Sequence, residues 1–382
     1  MAKTKERTKK EPLMHVAKRS DLPGWQAMLI RTGVVLGGLI FIILLSSGVL
    51  KQGPITLLTY IFAGTFGSGD NFLVLLRDSM LLLMIALAIT PAFKMKFWNI
   101  GAEGQVLISG FACMATMWYL GGKIPDGGLI VLMFIFSILA GVIWSVIPAI
   151  FKSVFNTNET LFTLMMNYLA IQVVKFFIKF WVPTGSGIIP TNPYGNLPNL
   201  GAGDKDYWFS IIFAIAVLAF MFVYLKYSKH GYELTVVGES ERTAKYIGIN
   251  VKKVIIRTLL VGGVICGIVG FLLVGGINHS ITENTVAGRG FTAVLVSWLA
   301  QFNPIIMIFV AFLVTFINKG MVWVMQSIGV TNAYFSNVVI GILFLIIIAG
   351  EFIIRYRVTF KGMKPRLKKS QAGKRTPEIG LH

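Results

Sequence analysis

The segment KYSKHGYELTVVGESERTAKYIGINVKK, residues 226–253, is the longest polar interval between two apolar stretches, residues 207–225 and 254–277. Each of these stretches is long enough to cross the hydrocarbon core of a bilayer as a helix. Basic residues outnumber acidic residues within the segment, and the positive-inside rule therefore places it in the cytoplasm. A soluble protein can reach the segment there.

Within this segment, residues 241–247 carry the start and stop signals of one short helix. Ser240 is a good N-cap residue, and Glu241 suits the positive end of the helix dipole in the first turn. Lys245 suits the last turn, and Gly248 supplies a left-handed stop. An ordinary charged loop is the alternative interpretation. A capped helix held between two membrane spans would give a partner protein a rigid surface to push.

The composition excludes an ordinary soluble domain and predicts an all-α polytopic membrane protein. Of the 382 residues, 55% are hydrophobic and 13% are charged, and the mean hydropathy is +0.75. The net charge of +19 arises from basic residues that flank the apolar stretches, which favours contact with anionic lipid over nucleic acid. We divide the chain into a basic cytoplasmic arm (1–25), a transmembrane domain (26–355) and a basic cytoplasmic tail (356–382).

We expect about ten transmembrane or membrane-embedded helices, with both termini cytoplasmic. The deciding region is 290–318, which as one long helix would leave the tail outside, and as two helices broken at Asn303 and Pro304 would leave it inside. The tail is strongly basic, so we predict the broken form. Residues 51–71 are expected outside, with part of the segment re-entrant as the alternative. The predicted helices lie at about 32–50, 73–93, 105–120, 129–151, 161–181, 207–225, 254–277, on either side of the break in 290–318, and at 337–354.

Polar residues open two of the predicted helices, and two interpretations of them stay open. They are Asn99, Gly101, Glu103 and Gln105 before the third helix, and Asn158, Glu159 and Asn167 in the fifth. They either cap helices and join them by hydrogen bonds, or line the route of a polar solute. Glu103 should face protein, water or the boundary, because a charge at the centre of a membrane helix costs about 2.5–3.5 kcal/mol. Arg77 and Asp78 are expected at the membrane interface, with the lining of a pore as the alternative.

The sequence contains no pattern typical of an enzyme embedded in the membrane. It lacks a zinc-protease HExxH pair, a GxSxG nucleophile elbow and a phosphate-binding loop, and we predict no catalytic residue, metal site or cofactor. The four histidines are scattered outside the predicted spans and are expected at the surface. Cys113 and Cys266 lie in distant apolar stretches and are expected to be packing residues. Any ATP-driven function therefore needs an ATPase on another chain.

Four sequence motifs follow one another along the chain. They are FWNIGAEGQ at 97–105, NE at 158–159 with LMMNY at 164–168, the interval from GE at 238–239 to GIN at 248–250, and GRGFTA at 288–293 with NP at 303–304. Taken in order, these motifs resemble the membrane permeases of bacterial ABC importers for nucleosides and simple sugars. The resemblance covers residues 73–354. Within the branched-chain amino acid and ribose-type permease superfamily, the motifs look most like the nucleoside-type branch.

The resemblance implies a permease subunit in the bacterial plasma membrane that forms the translocation pathway for nucleosides or related simple sugars. It implies as partners a cytoplasmic ABC ATPase, a second homologous permease subunit in a heterodimer, and an extracellular solute-binding lipoprotein. It also implies that the cytoplasmic helix couples to the ATPase. The expected coupling residues are Glu239, Ser240, Glu241, Arg242, Ala244, Tyr246, Gly248 and Asn250.

One departure from the family pattern falls in this coupling segment. Such permeases usually carry Asn-Pro and a double Ala, where this chain has Ser240-Glu241 and Thr243-Ala244. The helix should survive, because Ser and Glu are favourable at a helix N-terminus. A secondary transporter driven by an ion gradient is the alternative function. It is disfavoured because an ion relay needs several facing carboxylates, and only Glu103 and Glu159 are candidates.

Overall fold

The computed structural model describes residues 14–18, 24–183, 189–197, 207–330 and 334–360. Eight helices among these residues are long and apolar enough to cross a membrane, in agreement with the predicted all-α membrane fold. Most of the basic arm 1–25, most of the basic tail 356–382 and the middle of the loop between 183 and 207 lie outside the described residues.

The ten predicted helices each have a counterpart among the described helices, and α2, α8 and α9 are additional to them. The helices are α1 Gly24–Leu50, α2 Pro54–Phe66, α3 Gly69–Lys94, α4 Ala102–Leu120, α5 Asp126–Phe155, α6 Glu159–Trp181, α7 Tyr207–Tyr227, α8 Lys229–Glu239, α9 Glu241–Tyr246, α10 Val251–Phe271, which continues as a π-helical segment Leu272–Asn278, α11 Arg289–Leu299, α12 Pro304–Ser327 and α13 Tyr334–Arg355.

The described chain forms two compact units, of which the smaller contains α1 up to Leu44 and α13 from Ile342. In this unit the guanidinium of Arg31 and the carboxylate of Glu351 are 3.1 Å apart. Two short strands, β1 Met14–Lys18 and β2 Tyr356–Phe360, pair in antiparallel register. These strands are the one departure from an all-helical structure in the described residues, and they bring part of the arm beside the start of the tail.

In the larger unit, Leu45–Gly341, the centre is built from α4, α5 and α10. Small residues let these helices approach closely: the Ser145 hydroxyl donates to the Leu259 carbonyl at 2.8 Å, and the Ser137 hydroxyl donates to the Ser109 carbonyl at 2.7 Å. A Cβ on Gly263 would lie 2.7 Å from the Gly141 carbonyl oxygen. Close backbone approach through Gly and Ser is typical of helix packing in membranes, where no hydrophobic force drives helices together.

Residues 51–71, for which the sequence predicted no helix, form α2 and the start of α3, while their position outside the membrane stays a prediction. Helix α2 begins at Pro54 because proline is favoured at the first helical position, and it packs along α12. Ile61 lies against Gly320, and the rings of Phe62 and Phe316 are 5.6 Å apart. The sequence pattern missed α2 because a 13-residue apolar helix is too short to read as a span.

The predicted break at Asn303 and Pro304 is confirmed. Helix α11 ends at Leu299 and α12 begins at Pro304, where the Asn303 side chain accepts a hydrogen bond from the backbone N–H of Ile305 at 3.0 Å. Helix α11 has 11 residues and α12 has 24, so the first is half a span and the second a complete one. At the other end of α11, Gly290 is buried, so this short helix begins inside the larger unit.

The contact of α10 with α5 gives a stability prediction. Replacing Gly263 with Ala should lower the free energy of unfolding by about 1–3 kcal/mol, because the added methyl group overlaps Ser145 and the backbone of α5. The measurement is thermal unfolding of the purified protein in detergent. The matched control is Gly127→Ala, where nothing lies within 4 Å of the added atom. Equal melting temperatures for the two variants would contradict this packing.

Candidate functional site

The polar groups at the start of α4 and in α6 meet in the structure although they are far apart in sequence. The Asn167 side chain accepts a hydrogen bond from the Gly104 N–H at 2.8 Å and donates one to the Ile100 carbonyl at 2.9 Å. The Thr163 hydroxyl accepts from the Ile100 N–H at 3.2 Å. The side chains of α6 thus satisfy backbone groups in the turn that precedes α4, which the bilayer could not hydrate.

Two further predicted residues complete this junction from within the same turn. The Asn99 side-chain oxygen accepts from the Gly101 N–H at 3.0 Å and lies 3.5 Å from the Gln105 amide nitrogen. The Gln105 oxygen accepts from the thiol of Cys266 on α10 at 3.4 Å. Asn99, Gln105 and Cys266 are all buried, and Cys266 is a packing residue as expected.

Glu103 joins α4 to the N-terminus of α11. Its two carboxylate oxygens accept hydrogen bonds from the backbone N–H groups of Gly288 at 2.8 Å and Gly290 at 2.7 Å. Gly288 adopts a left-handed conformation with φ +75°, and a Cβ on Gly290 would overlap Glu103. A carboxylate at this position satisfies the free N–H groups of the helix end and complements its positive dipole. Both oxygens of Glu103 are therefore engaged within the chain.

Asn158 and Glu159 lie away from this junction, at the start of α6. Asn158 caps the helix by accepting from the N–H groups of Thr160 and Leu161 at 3.1 and 3.2 Å. Glu159 forms an ion pair with Lys152 at 2.8 Å. The interpretation that the polar islands cap and join helices is confirmed by these contacts, and their lining of a solute route stays a prediction.

A cluster of charges forms around Asp78, and the sequence did not predict its distant members. Asp78 is buried within the protein, and its expected position at the membrane interface stays a prediction. Its carboxylate lies 3.1 Å from Arg77, 2.6 Å from Lys319 on α12 and 3.5 Å from Arg289 at the start of α11. The sequence does show two isolated cations beside long apolar stretches, Arg289 and Lys319, which could have marked them as unusual. It does not show that they pair with Asp78, because Asp78 is more than two hundred positions away.

The short helix predicted at 241–247 is confirmed as α9, and its position in the cytoplasm stays a prediction. The Ser240 hydroxyl accepts from the Thr243 N–H at 3.2 Å, and Gly248 ends the turn with φ +87°. Ala244 is buried, whereas the Tyr246 side chain is 94% exposed. An aromatic side chain this exposed on a capped helix suits a contact with another protein.

Helix α8, which the sequence did not predict, connects α9 to the membrane helices. Gly238 lies directly against the Lys94 carbonyl at the end of α3, where a side chain would not fit. His230 is buried, so its expected surface position is wrong, and its two ring nitrogens lie 3.1 Å from the Glu233 carboxylate and 3.2 Å from the Thr258 hydroxyl on α10. Burial lowers the pKa of His230, against the opposing effect of its hydrogen bond with Glu233.

Comparison with known proteins places this chain in a family. Residues 71–348 match the model described as "Branched-chain amino acid transport system / permease component". The chain belongs to this permease family, which confirms the resemblance found in the sequence. It is a multi-pass membrane protein and a permease component, with no enzymatic role of its own.

Three relatives are similar over nearly the whole chain. The glucose ABC transporter permease TsgB13 of Haloferax volcanii is 25% identical, covering 89% of this chain and 92% of the relative. The nucleoside ABC transporter permease NupB of Lactococcus lactis is 25% identical, covering 84% of this chain and 88% of the relative. The guanosine ABC transporter permease NupP of Bacillus subtilis is 27% identical, covering 85% and 92%. The chain is thus the permease subunit of an ABC transporter.

The junction between α4 and α6 predicts a difference between two asparagines. Asn167→Leu should destabilise the protein more than Asn158→Leu, because it leaves the buried Gly104 N–H and Ile100 carbonyl unpaired, at about 1–3 kcal/mol each. Asn158 is exposed, and loss of its cap should cost about 1 kcal/mol. Thermal unfolding in detergent compares the two variants. A larger loss for Asn158→Leu would rule out the proposed importance of the junction.

Packing of α8 on α10 should weaken in acid. The pKa of folded His230 lies below its ordinary value of about 6.5, so the unfolded segment binds more protons, and stability falls as the pH drops below that value. We expect hydrogen exchange in α8, corrected for the intrinsic rate, to accelerate between about pH 7.5 and 5.5. The charged groups facing the ring are Glu233 and Arg257. A His230→Gln variant that accelerated equally would assign the effect to another group.

Proposed function

We propose that this chain forms the translocation pathway for nucleosides, or related simple sugars, in an ATP-driven importer. Its partners in this proposal are a cytoplasmic ABC ATPase, a second homologous permease subunit, and an extracellular solute-binding lipoprotein. The nucleoside class is supported by the motifs of the sequence and by the relatives NupB and NupP, and the sugar alternative by TsgB13. ATP binding would close the ATPase pair, and the permease would convert that motion into alternating access.

The observation that carries the proposal is the position of α9 between the ends of two membrane helices. Helix α9 exposes Tyr246 and is followed by α10, whose first turn is capped by Asn250 through the Lys253 N–H at 3.2 Å. We assign docking in an ATPase groove to the segment from Glu239 to Asn250. Its proposed contact residues are Glu239, Ser240, Glu241, Arg242, Tyr246, Gly248 and Asn250. Ala244 belongs to the same coupling segment, but its side chain is buried and would support α9 from within the chain.

Helix α8 gives this docking surface a route into the membrane. It contacts the end of α3 through Gly238 and contacts α10 through His230 and Thr258. A push on α9 would therefore move two helices of the larger unit together. Rigid packing of this kind transmits displacement because packed helices shift between discrete arrangements rather than deform continuously.

The proposed orientation places α8, α9 and both termini in the cytoplasm. Pairing of β1 with β2 supports termini on one side of the membrane, since strands on opposite sides could not exchange hydrogen bonds. The basic residues of the segment 226–253 support a cytoplasmic position for α9. The domain bounds 1–25, 26–355 and 356–382 remain part of this proposal.

Tyr246→Glu should weaken ATPase association at least about tenfold, since an exposed aromatic that becomes buried at an interface is commonly worth about 2 kcal/mol or more. The measurement is co-purification of the ATPase together with uptake of labelled nucleosides, with glucose and ribose as sugar controls. The matched variant is Asn284→Glu, an exposed residue in the loop before α11, which should leave both unchanged.

The same uptake assay tests the function through a strain whose ATPase has an inactive nucleotide site. We expect that the strain with the inactive ATPase and a strain that lacks this chain both lose nucleoside uptake and keep sugar uptake. Loss of sugar uptake alone would keep the mechanism and change the substrate class. Normal ATPase binding and uptake in the Tyr246→Glu variant would show that α9 is not the docking helix.

A further inference from the structure

We propose that Arg289 and Lys319 form an electropositive selectivity site within the membrane, which binds acceptor oxygens of the passing solute and excludes cations. Asp78 is the residue that positions them, and Arg77 supports Asp78. This inference rests on the proposed function, because it assigns a place where that same pathway discriminates between solutes.

The geometry of the Asp78 cluster divides its members into fixed and available groups. The Arg77 Nε atom donates to one Asp78 oxygen at 3.1 Å, and its guanidinium lies 5.4 Å from the centre of the Tyr207 ring. Arg289 and Lys319 share the other oxygen at 3.5 and 2.6 Å. Arg77 is therefore held on both sides, whereas the last two cations share a single acceptor.

The cluster carries more positive than negative charge. Three cations surround the Asp78 carboxylate, and Glu103, which interacts electrostatically with Arg289, adds a second acid, so the three cations exceed the two acids by one charge. A guanidinium offers five N–H donors and an ammonium three. Among the residues that the structure describes, Asp78 is the only acid paired with Arg289 or Lys319. Both cations thus keep donors for a ligand.

The cluster lies too deep along its helices for an ordinary interfacial position. Asp78 is nine residues from the start of α3, or about 13 Å at the helical rise. Lys319 is eight residues from the end of α12, or about 12 Å. If the ends of these helices lie at the membrane surface, both residues lie within the hydrocarbon core, which is about 30 Å thick.

The two available cations are also partly open, which Asp78 is not. The exposed fractions are 27% for Arg289, 31% for Lys319 and 3% for Asp78. Charged groups at this depth face a water-filled passage or protein rather than lipid, because the lipid tails cannot solvate them. We therefore place the two side-chain heads on the solute pathway.

The chemistry of such a site selects neutral or anionic solutes rich in oxygen. Ribose hydroxyls and nucleobase carbonyls accept hydrogen bonds from both cations, whereas a protonated amine or sodium ion is repelled by the excess charge. Positive groups that line a pore exclude cations in other channels by the same electrostatic barrier. Specificity of this kind comes from the repulsive element as much as from the attractive one.

The test uses the complete transporter in proteoliposomes and pairs of solutes that differ by one charge. The pairs are uridine with 5′-amino-5′-deoxyuridine, and glucose with glucosamine, each present at a pH where the amine is protonated. Lys319→Gln and Arg289→Gln should raise the ATP-driven flux of the cationic member relative to the neutral one by about tenfold, which corresponds to about 1.4 kcal/mol of lost repulsion. Lys319→Arg keeps the positive charge and should therefore show the same flux ratio as the wild type.

The control is Lys175→Gln, which removes a Lys from an exposed pair with Glu283 at 2.9 Å and should leave the ratio unchanged. An unchanged ratio in both cluster variants, with wild-type flux intact, would overturn the selectivity site while keeping the proposed function. Loss of flux together with dissociation of the permease pair would instead identify the cluster as part of a subunit interface, and would also overturn it. Absence of ATP-driven flux in the wild type would refute the proposed function itself.

Discussion

The two hydrogen bonds from Gly288 and Gly290 to the Glu103 carboxylate hold the start of α11 against α4 inside the membrane domain. A short helix such as α11 leaves free N–H groups at its start, and within a bilayer no water is available to satisfy them. Glu103 supplies both acceptors from α4, and Asn167 in turn satisfies the backbone of the turn that leads into α4. Interrupted helices can therefore exist at this depth because neighbouring helices complete their hydrogen bonding.

The start of α11 also takes part in the ion pairs around Asp78. Arg289 lies between the two glycines that bind Glu103, and its side chain reaches the Asp78 carboxylate on α3. Lys319 brings α12 to the same carboxylate. Residues from α3, α4, α11 and α12 thus meet around two acids, and a shift of any one of these helices changes the surroundings of the charges.

A movement at the opposite end of α3 can reach the charges around Asp78. Helix α3 carries Asp78 in its first half and contacts α8 through its last residue, Lys94, while α8 leads directly into the exposed helix α9. Helix α3 is continuous over 26 residues, with Pro91 near its end, and therefore links the two places directly. In the proposed function, the ATPase and the solute would act on two ends of one helix.

The sequence alone determined the features that depend on local pattern. Long apolar stretches gave the spans, Asn303-Pro304 gave the break between α11 and α12, and Ser240 with Gly248 gave α9, because spans, breaks and caps are encoded within a few neighbouring residues. The polar residues from Asn99 to Gln105 and Asn167 could be selected as unusual in a membrane, but their pairing could not.

Only the tertiary structure decided that Asn167 binds the Gly104 N–H, that Glu103 binds the start of α11, and that Asp78 forms ion pairs with Arg289 and Lys319. It also decided that residues 54–66 form a helix and that His230 is buried. These outcomes depend on which helices become neighbours in the folded chain, and residues separated by dozens to hundreds of positions leave no local pattern that records their contact.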